Sequence, residues 1–285
     1  MRIARRSVLV GGAACVASFG ARADATRHAD ARLSVTGSCE QGSLVIGKCT
    51  AIPSQLSVDG TALRCTPAGV FAFGLAYDQV RMADISAGFA DGVVEHLGVV
   101  PVPRKYDIQH VNGLPEKYVS PPADVIARIA RENAMVGEAR KRDTDGTAFA
   151  EHFDWPANGI ISGTFGSQRI DNGKPMAPHF GVDIAAPEGT PIHAPADGIV
   201  SLAEPDFYLT GGTTVLDHGH GVSTTYIHQS ALKVKQGDAV KRGDLIGLVG
   251  MKGRATGPHL HWAMNWFQIR LDPSRSTAAP APAKS

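Results

Sequence analysis

Short apolar runs broken by glycine and turn residues dominate the chain. Leu44-Val45-Ile46-Gly47, Gln55-Leu56-Ser57-Val58 and Val70-Phe71-Ala72-Phe73-Gly74 have strand length and strand character. Asp59-Gly60, directly after the second run, is a hairpin signal. The pattern holds from Leu33 to about Asn112 and predicts a small β domain within residues 24–118. Pro121-Pro122 closes it. Ala123 to Arg142 then lacks glycine and proline apart from Gly137, and Val125, Ile129 and Val136 recur at helical spacing. Asp124 near the amino end and Arg140-Lys141-Arg142 at the carboxyl end suit a helix dipole. A connecting helix is therefore expected within 119–150, with its basic end in solvent. Strands and glycine turns resume over residues 151–273, as in Thr213-Thr214-Val215-Leu216. The Ala/Pro/Lys-rich tail, 274–285, is expected to be disordered.

Composition agrees with a mainly β fold. Thirty-two glycines and 18 prolines in 285 residues exceed the usual glycine share of roughly 7%. With 43% hydrophobic and 19% charged residues the chain is globular. A net charge of +1 gives no electrostatic case for nucleic acid. That balance conceals an asymmetry. Arg2, Arg5, Arg6 and Arg22 lie in the first 23 residues, which hold no acid; without them the chain is slightly acidic. Arginines, then the uncharged stretch Val8–Gly20, then Ala21-Arg22-Ala23 is the order of a secretory signal. Arg5-Arg6-Ser7-Val8-Leu9 is of the twin-arginine kind. The apolar stretch is too short to span a bilayer. Residues 1–23 are thus expected to be removed on export, leaving a periplasmic or secreted protein without stable membrane insertion. Cys15 lacks the leucine three residues earlier that lipidation would favour. An exported chain can form disulfides; Cys39, Cys49 and Cys65 allow at most one.

Histidine carries the candidate chemistry. Seven of the 11 lie between residues 179 and 261: His179, His193, His218, His220, His228, His259 and His261. In an extended strand His179 and Asp183 would stand about 13 Å apart. To share one ion the segment must bend, and Gly181 permits a bend. His259 and His261, at i and i+2, share a strand face and can reach a common site. A His/Asp/His set leaves a fourth position for water, the arrangement of a catalytic zinc. His218-Gly219-His220 has the same spacing, but Asp217-His-Gly-His-Gly221 reads as a glycine turn in which the side chains diverge. His193 reads as a structural strand residue.

Further blocks follow in order: Phe165-Gly-Ser-Gln-Arg169, His179-Phe-Gly-Val-Asp-Ile-Ala-Ala-Pro187, Gly189-Thr-Pro191, Ala194-Pro-Ala-Asp-Gly198, Tyr226-Ile-His228 and Gly257-Pro-His-Leu-His-Trp262. The chain from Ile160 to Asp272 resembles the M23 zinc metallopeptidases of the lysostaphin and LytM type. Residues from Thr36 through the helix resemble, less distinctively, the N-terminal part of proteobacterial members. The resemblance implies an antiparallel β-sheet groove with Zn2+ on its floor, held by His179, Asp183 and His261. It implies that His228 and His259 are the catalytic pair beside the metal. The substrate it implies is the peptide crosslink of bacterial peptidoglycan, and an exported chain suggests the D-alanyl to meso-diaminopimelate bond. The rival is a non-enzymatic wall-binding or amidase-activating protein on the same scaffold, against which the intact ligand set argues.

Overall fold

The computed structural model describes residues 31–113 and 116–278. The expected signal, Cys15 and residues 279–285 lie outside the described residues. The N-terminal strands are β1 (Leu33–Thr36), β2 (Leu44–Cys49), β3 (Gln55–Val58), β4 (Thr61–Ala62), β5 (Val70–Gly74), β6 (Ala83–Gly88) and β7 (Val94–Val99). They form two sheets, ordered β1-β2-β5 and β4-β3-β6-β7. Asp59 and Gly60 both take positive φ, 49° and 79°, as a two-residue type I′ hairpin demands. Val45, Phe71, Phe73 and Ile85 fill the interior. Cys49 and Cys65 carry free thiols; burial, then Cys65, pushes the Cys49 thiol up to about 11.

The connector holds β8 (Ile108–Val111), α1 (Glu116–Val119) and α2 (Ala123–Ala139). The helix α2 ends three residues before the expected Arg142, and of its basic end Lys141 and Arg142 are exposed as expected while Arg140 is not. Arg140 is only 6% exposed, and Arg142 turns to meet Asp217 at 3.2 Å. The aliphatic stripe explains this: Val136 and Ala139 pack against Leu202, Phe207 and Val215, which draws the following arginines onto the sheet.

Beyond the connector come β9 (Ile160–Gly163), β10 (Gln168–Asp171), β11 (Lys174–Pro175), β12 (Val182–Ala185), β13 (Pro191–His193), β14 (Gly198–Phe207) and β15 (Gly211–Asp217). Then follow β16 (Val222–Gln229), β17 (Ala231–Leu232), β18 (Ala239–Val240), β19 (Leu245–Leu248), β20 (His259–Trp266) and β21 (Ile269–Leu271). The principal sheet runs β18-β14-β15-β16-β20-β12-β9, with β21 also paired to β20. Its neighbouring strands are antiparallel throughout. One face carries Tyr226, Leu260, Trp262, Met264 and Ile184, all fully buried. The other carries Asp183, His261 and Ile227 in one cross-strand row. Alternation along β12, β16 and β20 thus separates a dry core from a polar face.

The N-terminal strands share this core. Gly74 of β5 lies directly on Trp266, Ile269 and Leu271, and one continuous apolar cluster joins both halves. Parallel pairing of β8 with β10 adds a second connection. The chain past β21 is folded as far as Thr277, unlike the tail expected from 274 onward. Asp272 accepts from Ser274 N at 3.0 Å and caps a short 3-10 turn, Pro273–Arg275, and Thr277 bridges Phe153.

Candidate metal centre

Asp183 and His261 face each other across the β12–β20 ladder. His179 arrives from the loop just before β12. The His179 Nε2, Asp183 Oδ1 and His261 Nδ1 atoms form a nearly equilateral triangle with sides of 2.8, 2.9 and 3.0 Å. They are the only group of three or more such donors found among the described residues. Gly181 is needed here for space. A Cβ at that position would lie 2.5 Å from the His261 ring, inside van der Waals contact, so any side chain would displace that ring.

The donors are prepared for a cation. His179 Nδ1 lies 3.1 Å from Thr164 O; a carbonyl only accepts, so Nδ1 carries the proton and Nε2 presents its lone pair. Burial lowers the His261 imidazole to about 4, with Asp183 opposing the shift. Burial alone would raise the Asp183 carboxyl. His179, His261 and Arg169 outweigh it and hold the group well below the usual carboxylate range. Two imidazoles and one carboxylate on one side of a point about 2 Å away are the donor set of a three-residue zinc site with an open position. The residues therefore fit zinc.

Arg169, on β10, lies outside the ligand and catalytic sets expected from sequence, yet its Nη2 donates to Asp183 Oδ2. This leaves Oδ1 as the oxygen within the triangle. No periodicity could have exposed the contact, since β10 meets β12 only through tertiary folding. Partners that orient a ligand typically contribute 10–100-fold to metal affinity. Arg169→Gln is expected to weaken zinc binding by about that factor, read by chelator competition; unchanged affinity would show that Asp183 is oriented without it.

His228 and His259 stand beside the triangle. Their rings lie 4.7 Å apart, and His259 Nε2 is 3.9 Å from Asp183 Oδ1, too far to belong to the triangle. Alternation would turn His228 toward the core with Tyr226. A bulge prevents this: two residues, Ile227 and His228, oppose Thr213 alone between the Gly212–Gln229 and Thr214–Tyr226 pairs. His228 has a φ of 65°, a left-handed conformation uncommon for a side chain of this kind. Its Nδ1–H donates to Lys252 O at 2.7 Å, and that of His259 to Gly257 O at 2.8 Å. Both Nε2 atoms are thereby left as acceptors. Burial, then His259 and His261, pushes His228 well below its ordinary value, which favours the neutral imidazole.

The other histidines lie elsewhere. His193, on β13, is exposed and 2.9 Å from Gly243 O. His220 packs on Phe149. His218 points away from it, donating from Nδ1 to Asp197 O at 2.7 Å and meeting Thr224 Oγ1 at 2.7 Å; that hydroxyl meets Tyr226 OH. Burial lowers His218 to about 4. The unfolded chain, titrating near 6.5, binds the proton more tightly, so this group's stability contribution is whole above pH ~6.5 and declines as pH falls toward 4. Relative to His218→Gln, the native chain is expected to lose about 2–3 kcal/mol more between pH 7 and 4.5. Denaturant titrations at both pH values read this, and parallel curves would show that His218 does not titrate.

Residues 177–273 match the model of peptidase family M23. ShyA, a peptidoglycan DD-endopeptidase of Vibrio cholerae, is 43% identical over 105 residues, which are 36% of this chain and 24% of its own. Mpg, a DD-carboxypeptidase/endopeptidase of Neisseria meningitidis, is 42% identical over 105 residues, with the same two shares. The chain spans about a quarter of the length of these curated relatives. An M23 peptidase of Pseudomonas aeruginosa, known from its crystal structure, matches with a TM-score of 0.64 at 27% identity, over 85% of this chain and 96% of that one. That M23 likeness therefore includes the N-terminal strands as well as the peptidase sheet.

Proposed function

We propose that this chain is a zinc-dependent endopeptidase that hydrolyses peptide crosslinks of bacterial peptidoglycan, at the D-alanyl to meso-diaminopimelate bond, in the periplasm. The observation that carries this reading is the donor triangle of His179, Asp183 and His261 with the His228–His259 pair beside it. The peptidoglycan DD-endopeptidase ShyA and the DD-carboxypeptidase/endopeptidase Mpg, similar to this chain, support the choice of substrate. No described helix is long and apolar enough to cross a membrane.

Bound at the triangle, zinc would supply Lewis acidity and make water a nucleophile near neutral pH. The protein's own part is orientation and proton transfer. Arg169 and Thr164 fix Asp183 and His179. His228 and His259, each held through Nδ1, offer Nε2 to the water's proton and return it to the leaving amine. Hydrolysis is complete when the hydroxyl has joined the acyl carbon and the proton the amine.

Mass spectrometry of purified crosslinked muropeptide, incubated with the mature zinc-loaded chain, tests the proposal. Conversion of dimer to two tetrapeptide monomers with uptake of one water is expected. An intact dimer, with zinc bound, would leave the binding or activating role instead.

A further inference from the structure

The bulge in β16 moves two side chains, not one. Tyr226 lies on the dry face of the principal sheet, across the ladders from Thr214 and Trp262. Regular alternation would place His228 on that same face and Gln229 on the polar face with His261. The extra residue of the bulge exchanges them. The His228 ring centroid lies 4.7 Å from that of His259 and 6.5 Å from that of His261. Gln229 takes the vacated place in the core and is fully buried.

The buried amide spans the bulge. Gln229 Nε2 donates to the carbonyl of Tyr226, the residue before the bulge, at 3.1 Å. It also donates to Thr214 Oγ1, on the facing strand β15, at 2.9 Å. A carbonyl only accepts, so the NH2 end of the amide must face Tyr226. The residue after the bulge is thus tied to the residue before it and to the strand opposite. Gly247 of β19 makes room, since a Cβ there would collide with Gln229 Oε1. That oxygen has no partner among the described residues, a cost that an apolar side chain would avoid. What the amide supplies in return is the pair of bonds from Nε2. On the polar face two carbonyls receive His228. Thr210 O accepts its backbone N–H and Lys252 O its Nδ1–H, both at 2.7 Å. The second bond exists only while the ring is turned to that face.

We propose that Gln229 is a positioning residue: its amide locks the bulged register and so keeps His228 beside the metal centre. A slip of one residue would return His228 to the core, and Gln229 holds that place against it. Gln229 touches neither the donor triangle nor the space in front of it, so it acts through His228. Its effect on turnover rests on the peptidase reading; its effect on the His228 ring does not.

Gln229→Met tests this, because methionine keeps the length of the side chain and removes both hydrogen bonds. Zinc content and thermal melting should show a filled and folded protein. On crosslinked muropeptide kcat should fall about 10–100-fold, the scale of a misplaced catalytic group, with KM changed little. In a His228→Ala background the same substitution should cost nothing further, since it acts through that ring. A second measurement needs no turnover. Proton–nitrogen NMR of the zinc-loaded native chain should show a slowly exchanging Nδ1 proton on His228, held by Lys252 O, and Gln229→Met should lose that protection. If Gln229→Met does not fold, Gly247→Ala displaces the amide without altering β16 and should give the same two results. Equal loss of kcat with and without His228 would overturn the proposal, as would an unchanged His228 proton signal in the variant. A native chain that loses the signal on substitution yet cleaves no muropeptide would sink the peptidase reading and leave the positioning of His228 by Gln229 standing.

Discussion

His179→Ala, Asp183→Ala and His261→Ala are each expected to reduce zinc affinity by more than the ~100-fold that loss of a merely orienting partner can reach. Each removes one corner of a triangle whose sides are all 3.0 Å or less, and two donors cannot hold the ion as three do. Turnover should fall to background with the metal. Asp183→Ala carries a second effect, because it strands the mostly buried Arg169 guanidinium. Asp183→Asn keeps the shape and separates metal loss from this destabilisation. The control is His218→Ala: its ring contacts Asp197 and Thr224 rather than the triangle, so zinc content should stay near one per chain. Elemental analysis of the purified variants decides. An empty site in His218→Ala beside a filled one in His261→Ala would reverse the assignment.

The chain makes the sheet readable because strands alternate. Alternation alone puts both histidines of His259-Leu260-His261 on one face, and Asp59-Gly60 marks its own hairpin. The glycine turn around His218 and His220 excludes the second His-x-His pair by the same reasoning. What a linear sequence does not display is contact made by folding. Local spacing marks Gly181 as a bend, but its role is also to clear space for the His261 ring from a distant strand. Arg169 gives no local sign that it will hold Asp183. Arg140 sits at a helix end, where cations ordinarily meet solvent, and is buried because Val136 and Ala139 carry it onto the sheet. The two halves look separable by composition, yet Gly74 closes against Trp266 and Leu271. A change in either half that opens this seam disturbs the strand carrying His259 and His261.

The bulge at Ile227–His228 shows the same limit in the backbone. Period-two reasoning sends His228 into the core, and only resemblance to known peptidases places it at the site. If its displaced position serves chemistry, His228→Ala and His259→Ala should both keep zinc and fold, since neither supplies a corner of the triangle. Turnover of crosslinked muropeptide should nevertheless fall about 10²–10⁴-fold in each, the usual contribution of a positioned acid or base. The rings are 4.7 Å apart and act on one transition state, so the double variant should lose less than the product of the single losses. His228→Ala would also relieve some strain of the left-handed backbone only if the bulge relaxed; a melting temperature close to native with full zinc would separate chemistry from fold. Zinc content, thermal melting and kcat should therefore be measured on all three proteins. Near-normal kcat in zinc-filled His228→Ala would remove that residue from the mechanism and reduce the bulge to a packing feature. Loss of zinc in His259→Ala would make His259 a ligand, which its 3.9 Å separation from Asp183 Oδ1 argues against.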